Sequence, residues 1–79
     1  MKIEVRYFAL FREQTGRASE TVEWPGGTAA ELFQVMTGQH AALKTEAAAL
    51  VAVNDEMTGW ETPLNEGDVV LFFPPVAGG

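Results

Sequence analysis

Val69-Val70-Leu71-Phe72-Phe73-Pro74-Pro75-Val76-Ala77-Gly78-Gly79 is the last stretch of the sequence, and its pattern decides the fold. In an extended chain, successive side chains point to opposite faces. A strand over Val69 to Phe73 therefore puts Val70 and Phe72 on one face, and Leu71 and Phe73 on the other. Both faces are apolar, which suits a central strand covered on each side. Pro74 and Pro75 lack an amide hydrogen and force an extended, polyproline-like exit. Beyond them come glycines, with a narrow cross-section and free choice of φ and ψ. Such a terminus can thread into a tunnel closed to larger side chains, which makes its α-carboxylate the expected reactive group.

Working back from that strand, Asn65-Glu66-Gly67-Asp68 is a turn with glycine where positive φ is wanted. Leu50 to Val53 is an apolar strand that turns through Asn54-Asp55. Met57 to Thr62 predicts a short edge strand ended by Pro63. At the other end, Lys2 to Phe8 predicts a strand with Ile3, Val5 and Tyr7 on one face and Lys2, Glu4 and Arg6 on the other. Phe8 breaks that alternation by placing an aromatic ring on the polar face. Ala9 to Gly16 predicts one or two helical turns stopped at Gly16. Ser19 to Trp24 forms a returning strand, with Val22 and Trp24 on one face and Pro25-Gly26-Gly27 as its end.

Thr28-Ala29-Ala30-Glu31 is a capping-box pattern, in which the threonine side chain and the glutamate satisfy each other's free amides. Ala29, Leu32, Phe33 and Met36 then share one helix face, and Gly38 is the expected end of that helix. Ala41 to Ala47 predicts a second short helical stretch. The order fits an α+β roll: one mixed sheet, the first and last strands at its centre, and one main helix across one face.

At 79 residues the chain makes one small domain. With 47% hydrophobic and 20% charged residues it is not disordered by composition. It has no cysteine, so packing alone must supply stability, about 3–5 kcal/mol at this size. The net charge of −6, from 11 acidic against 5 basic residues, argues against nucleic acid and anionic membrane, which need clustered cations. Arg6, Arg12 and Arg17 are scattered singly. An acidic surface suits a basic protein partner, and equally suits simple solubility. The apolar run Ala47 to Val53 is far short of the ~20 residues that span a membrane. Met1 to Arg6 alternates charge with apolar residues and carries no signal-peptide block, so a cytoplasmic location is expected.

The side-chain inventory leaves little room for catalysis. Ser19, expected mid-strand, and His40, expected as a solvated loop residue, do not make a nucleophile with its base. Asp55-Glu56 and Glu66/Asp68 lack the dense oxygen pattern of a calcium loop. Gly26-Gly27 has no lysine to complete a phosphate loop. No metal or intrinsically bound cofactor is expected.

Two features remain. One helix covers only one sheet face, so Phe8, Leu71 and Phe73 are expected on the open face, with Met57 a fourth apolar member. That predicts a protein interface. The other feature is the tail. A free carboxylate resists attack because its charge repels nucleophiles and oxide is a poor leaving group. As an acyl-adenylate it gains a good leaving group, and a sulfur donor can displace AMP to leave a thiocarboxylate.

Phe72 to Gly79, preceded by Leu64-Asn65-Glu66-Gly67-Asp68-Val69-Val70, resembles the carboxy-terminal signature of the molybdopterin synthase small subunits, a family of ubiquitin-like sulfur carriers. Tyr7-Phe8-Ala9-Leu10-Phe11-Arg12-Glu13 with Gly16 is similar to that family's amino-terminal signature, and Val51-Ala52-Val53-Asn54 to its middle strand. The resemblance implies a β-grasp domain over residues 1–74 and an extended tail over 75–79. It implies that a ubiquitin-activating-type enzyme adenylates Gly79 with ATP and that a sulfurtransferase system converts it to the thiocarboxylate. Pro74, Pro75, Val76, Ala77 and Gly78 would then thread into the large subunit of a heterotetrameric synthase. There the sulfur passes to cyclic pyranopterin monophosphate, building the dithiolene of molybdopterin. The chain itself would be a carrier without catalysis of its own. The open apolar face would serve both partners, and Arg12 matches the family's arginine, with a role at the interface. Because the sequence already finishes at Gly79, no protease is expected to expose the diglycine. Related carriers for thiazole, cysteine or thiolated nucleoside synthesis, a ubiquitin-like protein modifier, and a plain interaction domain are the alternatives.

Overall fold

The computed structural model describes residues 1–43 and 48–75. Among these residues five strands and two helices follow in the order β1 (Lys2–Tyr7), α1 (Leu10–Thr15), β2 (Ser19–Glu23), α2 (Ala29–Gln39), β3 (Leu50–Val53), β4 (Glu56–Thr58) and β5 (Val69–Phe73). The strands form one sheet in the order β2-β1-β5-β3-β4. β1 and β5 are parallel, and the other neighbours are antiparallel. The strand apolar on both faces is thus central, next to the first strand, as its sequence requires. This is the β-grasp arrangement.

Register decides what each face carries. Val5 lies opposite Val70 and Tyr7 opposite Phe72 across the parallel pair, while Val51 faces Phe72 and Val53 faces Val70 across β3. These side chains meet α2, whose Ala29, Leu32, Phe33 and Met36 are buried. Phe72, fully buried, is the hub of the core. Its ring centroid is 4.7 Å from Phe33, 5.8 Å from Trp60 and 6.4 Å from Tyr7. Aromatic pairs at such distances add about 0.5–1.5 kcal/mol each beyond the area they bury.

The helix begins as its sequence dictates. Thr28 Oγ1 accepts from the Glu31 amide at 3.3 Å, and the Thr28 amide donates to Glu31 Oε1 at 2.8 Å. Gly27, at φ 140°, leaves the space that Glu31 fills. The end differs from expectation. Gly38 stays helical and the helix runs on to Gln39, because His40 still donates its amide to the Met36 carbonyl at 2.9 Å before turning out at φ −118°. Glycine permits a left-handed stop but does not compel one. Gly16 does stop α1, at φ 77°.

Two further boundaries moved. β4 ends at Thr58 rather than Thr62, because Trp60 turns back toward the core and its Nε1 donates to the Ala49 carbonyl at 3.1 Å. Ser19 opens β2 instead of lying within it. Of the helical stretch expected over Ala41 to Ala47, Ala41 and Ala42 form a turn and Leu43 is buried; the remainder lies outside the described residues. No helix among the described residues is long and apolar enough to cross a membrane.

Candidate functional site

The sheet face opposite α2 divides in two. Toward β2 it is polar, with Lys2 paired to Glu23, Glu4 to Thr21 and Arg6 to Ser19. Toward β4 it is apolar. Leu50 lies opposite Phe73, Ala52 opposite Leu71, and Met57 opposite Ala52. Phe8, just past β1, keeps its amide in the ladder by donating to the Phe72 carbonyl at 3.1 Å. Its ring falls on this outer face, 5.4 Å from that of Phe73.

Phe8, Leu50 and Met57 are 54%, 48% and 58% exposed, a large apolar exposure for three neighbouring side chains. With Ala9, Phe73, Pro74 and Pro75 they line an open groove of about 530 Å³. Every lining side chain is hydrocarbon or thioether. The groove can therefore bind an apolar segment by excluding water, and its described lining offers no side-chain acid or base. Its far wall is Pro74-Pro75, so it opens where β5 gives way to the tail.

Of the residues expected at an interface, Phe8, Met57 and Phe73 line this groove. Leu71 shares the outer face without reaching the lining. Arg12 is exposed on α1 and also lies off the groove. Pro74 and Pro75 form its edge, while Val76, Ala77, Gly78 and Gly79 lie outside the described residues. Ala9 and Leu50 are the lining residues that sequence reading missed, and for Leu50 a signal existed. Its signal was the register with β5: once Val51 and Val53 face the core, Leu50 must face out.

His40 is not the solvated loop residue expected of it. Its side chain is 16% exposed, and Nε2 lies 2.6 Å from Glu20 Oε2. The Tyr7 hydroxyl donates to the same oxygen at 2.6 Å, and Arg17 Nη1 reaches Oε1 at 3.3 Å. Burial pushes the Glu20 carboxyl up, but the hydrogen bonds from Tyr7 and His40 and the positive charges beside it outweigh burial and hold it below the ordinary carboxylate range. Burial, then the bond to Glu20, drives the Tyr7 hydroxyl far above its usual range, so it remains a donor. This cluster pins the end of α2 to the β1–β2 hairpin. No group of three or more His, Cys, Asp or Glu side chains that could hold a metal ion occurs among the described residues.

The ThiS family model matches residues 5–79. The chain is 38% identical over 80 residues to the molybdopterin synthase sulfur carrier subunit of Escherichia coli (strain K12), covering 98% of this chain and 99% of that protein. It is 31% identical over 94 residues to small archaeal modifier protein 3 of Haloferax volcanii, covering all of both. It also matches the solved complex of subunits 1 and 2 of molybdopterin-converting factor from Helicobacter pylori 26695, at TM-score 0.69 and 28% identity over the full length of both chains.

Proposed function

Because the chain belongs to the ThiS family and is a ubiquitin-like sulfur carrier, we propose that it serves as the small subunit of molybdopterin synthase. The Gly79 carboxylate attacks the α-phosphorus of ATP on a ubiquitin-activating-type enzyme, and pyrophosphate leaves. The outer sulfur of a sulfurtransferase persulfide then attacks the acyl carbon and AMP departs; a second thiol cleaves the resulting acyl disulfide, being oxidised to a disulfide with the donor cysteine, and the terminus is left as a thiocarboxylate. Terminal glycine minimises bulk at the attacked carbon. In the large subunit the sulfur is donated to cyclic pyranopterin monophosphate.

The observation that carries this reading is the position of the groove. An exposed apolar surface built on β5 and Phe8 ends at Pro74-Pro75, so a partner gripping the groove also holds the base of the tail. Proline restricts the exit to extended conformations, which lowers the entropy lost on threading. The solved two-subunit complex supports a protein as the occupant. Similarity to an archaeal modifier protein favours one second reading, in which Gly79 is joined to lysines of other proteins.

Intact mass separates these. Incubation with the cognate activating enzyme, ATP and a sulfur donor is expected to give the mass change for one oxygen replaced by sulfur, and an extra residue after Gly79 is expected to abolish it. No change with a competent activating enzyme refutes sulfur carriage, and isopeptide-linked species in cells support the modifier reading.

A further inference from the structure

Ala9 stands at φ 51° and ψ −120°, a conformation that side-chain-bearing L-residues rarely adopt. The Phe11 amide donates to the Phe8 carbonyl at 3.1 Å, which makes Phe8 to Phe11 a four-residue turn with Ala9 second. Those dihedrals at that position define a type II′ turn, whose usual occupant is glycine. The other non-glycine residues at positive φ among the described residues are Asn54 and Asp55. Their side chains are the ones that tolerate the left-handed region; alanine has no such compensation.

The turn does necessary work. It holds Phe8 on the outer face against Phe73 and delivers Phe11, three residues on, fully buried into the core beside Phe33. Glycine would make the same reversal without strain. What alanine adds is one methyl group, and Ala9 lines the groove together with Phe8 and Phe73.

We propose that Ala9 is a partner-contact residue of the docking groove, kept strained in the free protein because its methyl forms part of the wall that packs on the partner subunit. This rests on the docking role proposed above. Strain of this kind persists where surrounding structure over-determines it, and it clusters at functional sites. The trade is of a familiar type, in which a binding surface is retained at some expense of stability.

Ala9→Gly separates the two effects. The variant is expected to melt about 4–8 °C higher, from relief of the turn, and to bind the molybdopterin synthase large subunit about fourfold more weakly, the worth of one buried methyl. A glycine variant that binds as tightly as wild type, or tighter, overturns the proposal. An unchanged or lower melting temperature overturns its premise of strain. Should the wild-type protein itself not bind the large subunit, the docking role fails and this assignment with it.

Discussion

Replacing Phe8 by alanine removes the largest exposed side chain of the groove. A phenylalanine side chain offers roughly 200 Å² for burial, and Phe8 is 54% exposed in the free protein, so about 100 Å² remains to be taken from water when a partner docks. At about 25 cal/mol per Å² this is ~2.5 kcal/mol, or close to a 70-fold change in dissociation constant. The fold loses a comparable amount, because the other ~90 Å² of the side chain is already covered and is worth about 2 kcal/mol at the same rate. The ring contact with Phe73, centroids 5.4 Å apart, adds about 0.5–1.5 kcal/mol, while the core on the opposite sheet face keeps its packing. Titration calorimetry of Phe8→Ala against the large subunit, with thermal melts of the free variant alongside, reads both quantities. A loss of about 30–100-fold in affinity is expected, with a melting temperature lowered by roughly 10–25 °C. A folded variant whose affinity stays within twofold of wild type would refute the assignment of this face as the docking surface.

Two further predictions concern the fold that presents the site. Phe72→Ala removes the hub on which Phe33, Trp60 and Tyr7 converge. It should cost about 3–5 kcal/mol, comparable with the whole net stability of a domain this small, so chemical denaturation should find it largely unfolded at ambient temperature. Glu20 predicts a pH dependence. Its carboxyl is held below the ordinary range in the folded protein, so the unfolded chain binds that proton first as pH falls. The stabilisation is complete above the ordinary carboxylate range and disappears as pH drops through the depressed folded value. Urea midpoints of wild type and Glu20→Gln should therefore differ most near neutrality and converge in acid, and a gap that is constant with pH would contradict the ion cluster.

The parts of this architecture legible in the sequence are those written in local patterns. The two-faced apolar run over Val69 to Phe73 located the central strand, and Thr28 with Glu31 marked the start of α2. Phe8 and Met57 stood out because each is apolar where its neighbours are polar. Leu50 did not stand out, since in Leu50-Val51-Ala52-Val53 every residue is apolar and the run itself carries no phase. Only pairing with β5 assigns it to the outer face. The His40, Glu20 and Tyr7 cluster joins residues from three elements, a juxtaposition that no spacing rule encodes. Gly38 misled because glycine allows a helix to stop while hydrogen bonding decides whether it does. The positive φ of Ala9 was equally hidden, because alanine is an unusual occupant of a turn that normally advertises itself with glycine.

The central claim is that sulfur held at Gly79 reaches a pterin only through docking of this groove. The most direct measurement mixes thiocarboxylated protein with the large subunit and cyclic pyranopterin monophosphate and follows formation of the dithiolene pterin. Because a dithiolene holds two sulfur atoms, the account predicts product in proportion to half the loaded carrier consumed, with rates at subsaturating protein reduced by Phe8→Ala. Loaded protein, verified by mass, that yields no dithiolene with an active large subunit would contradict it.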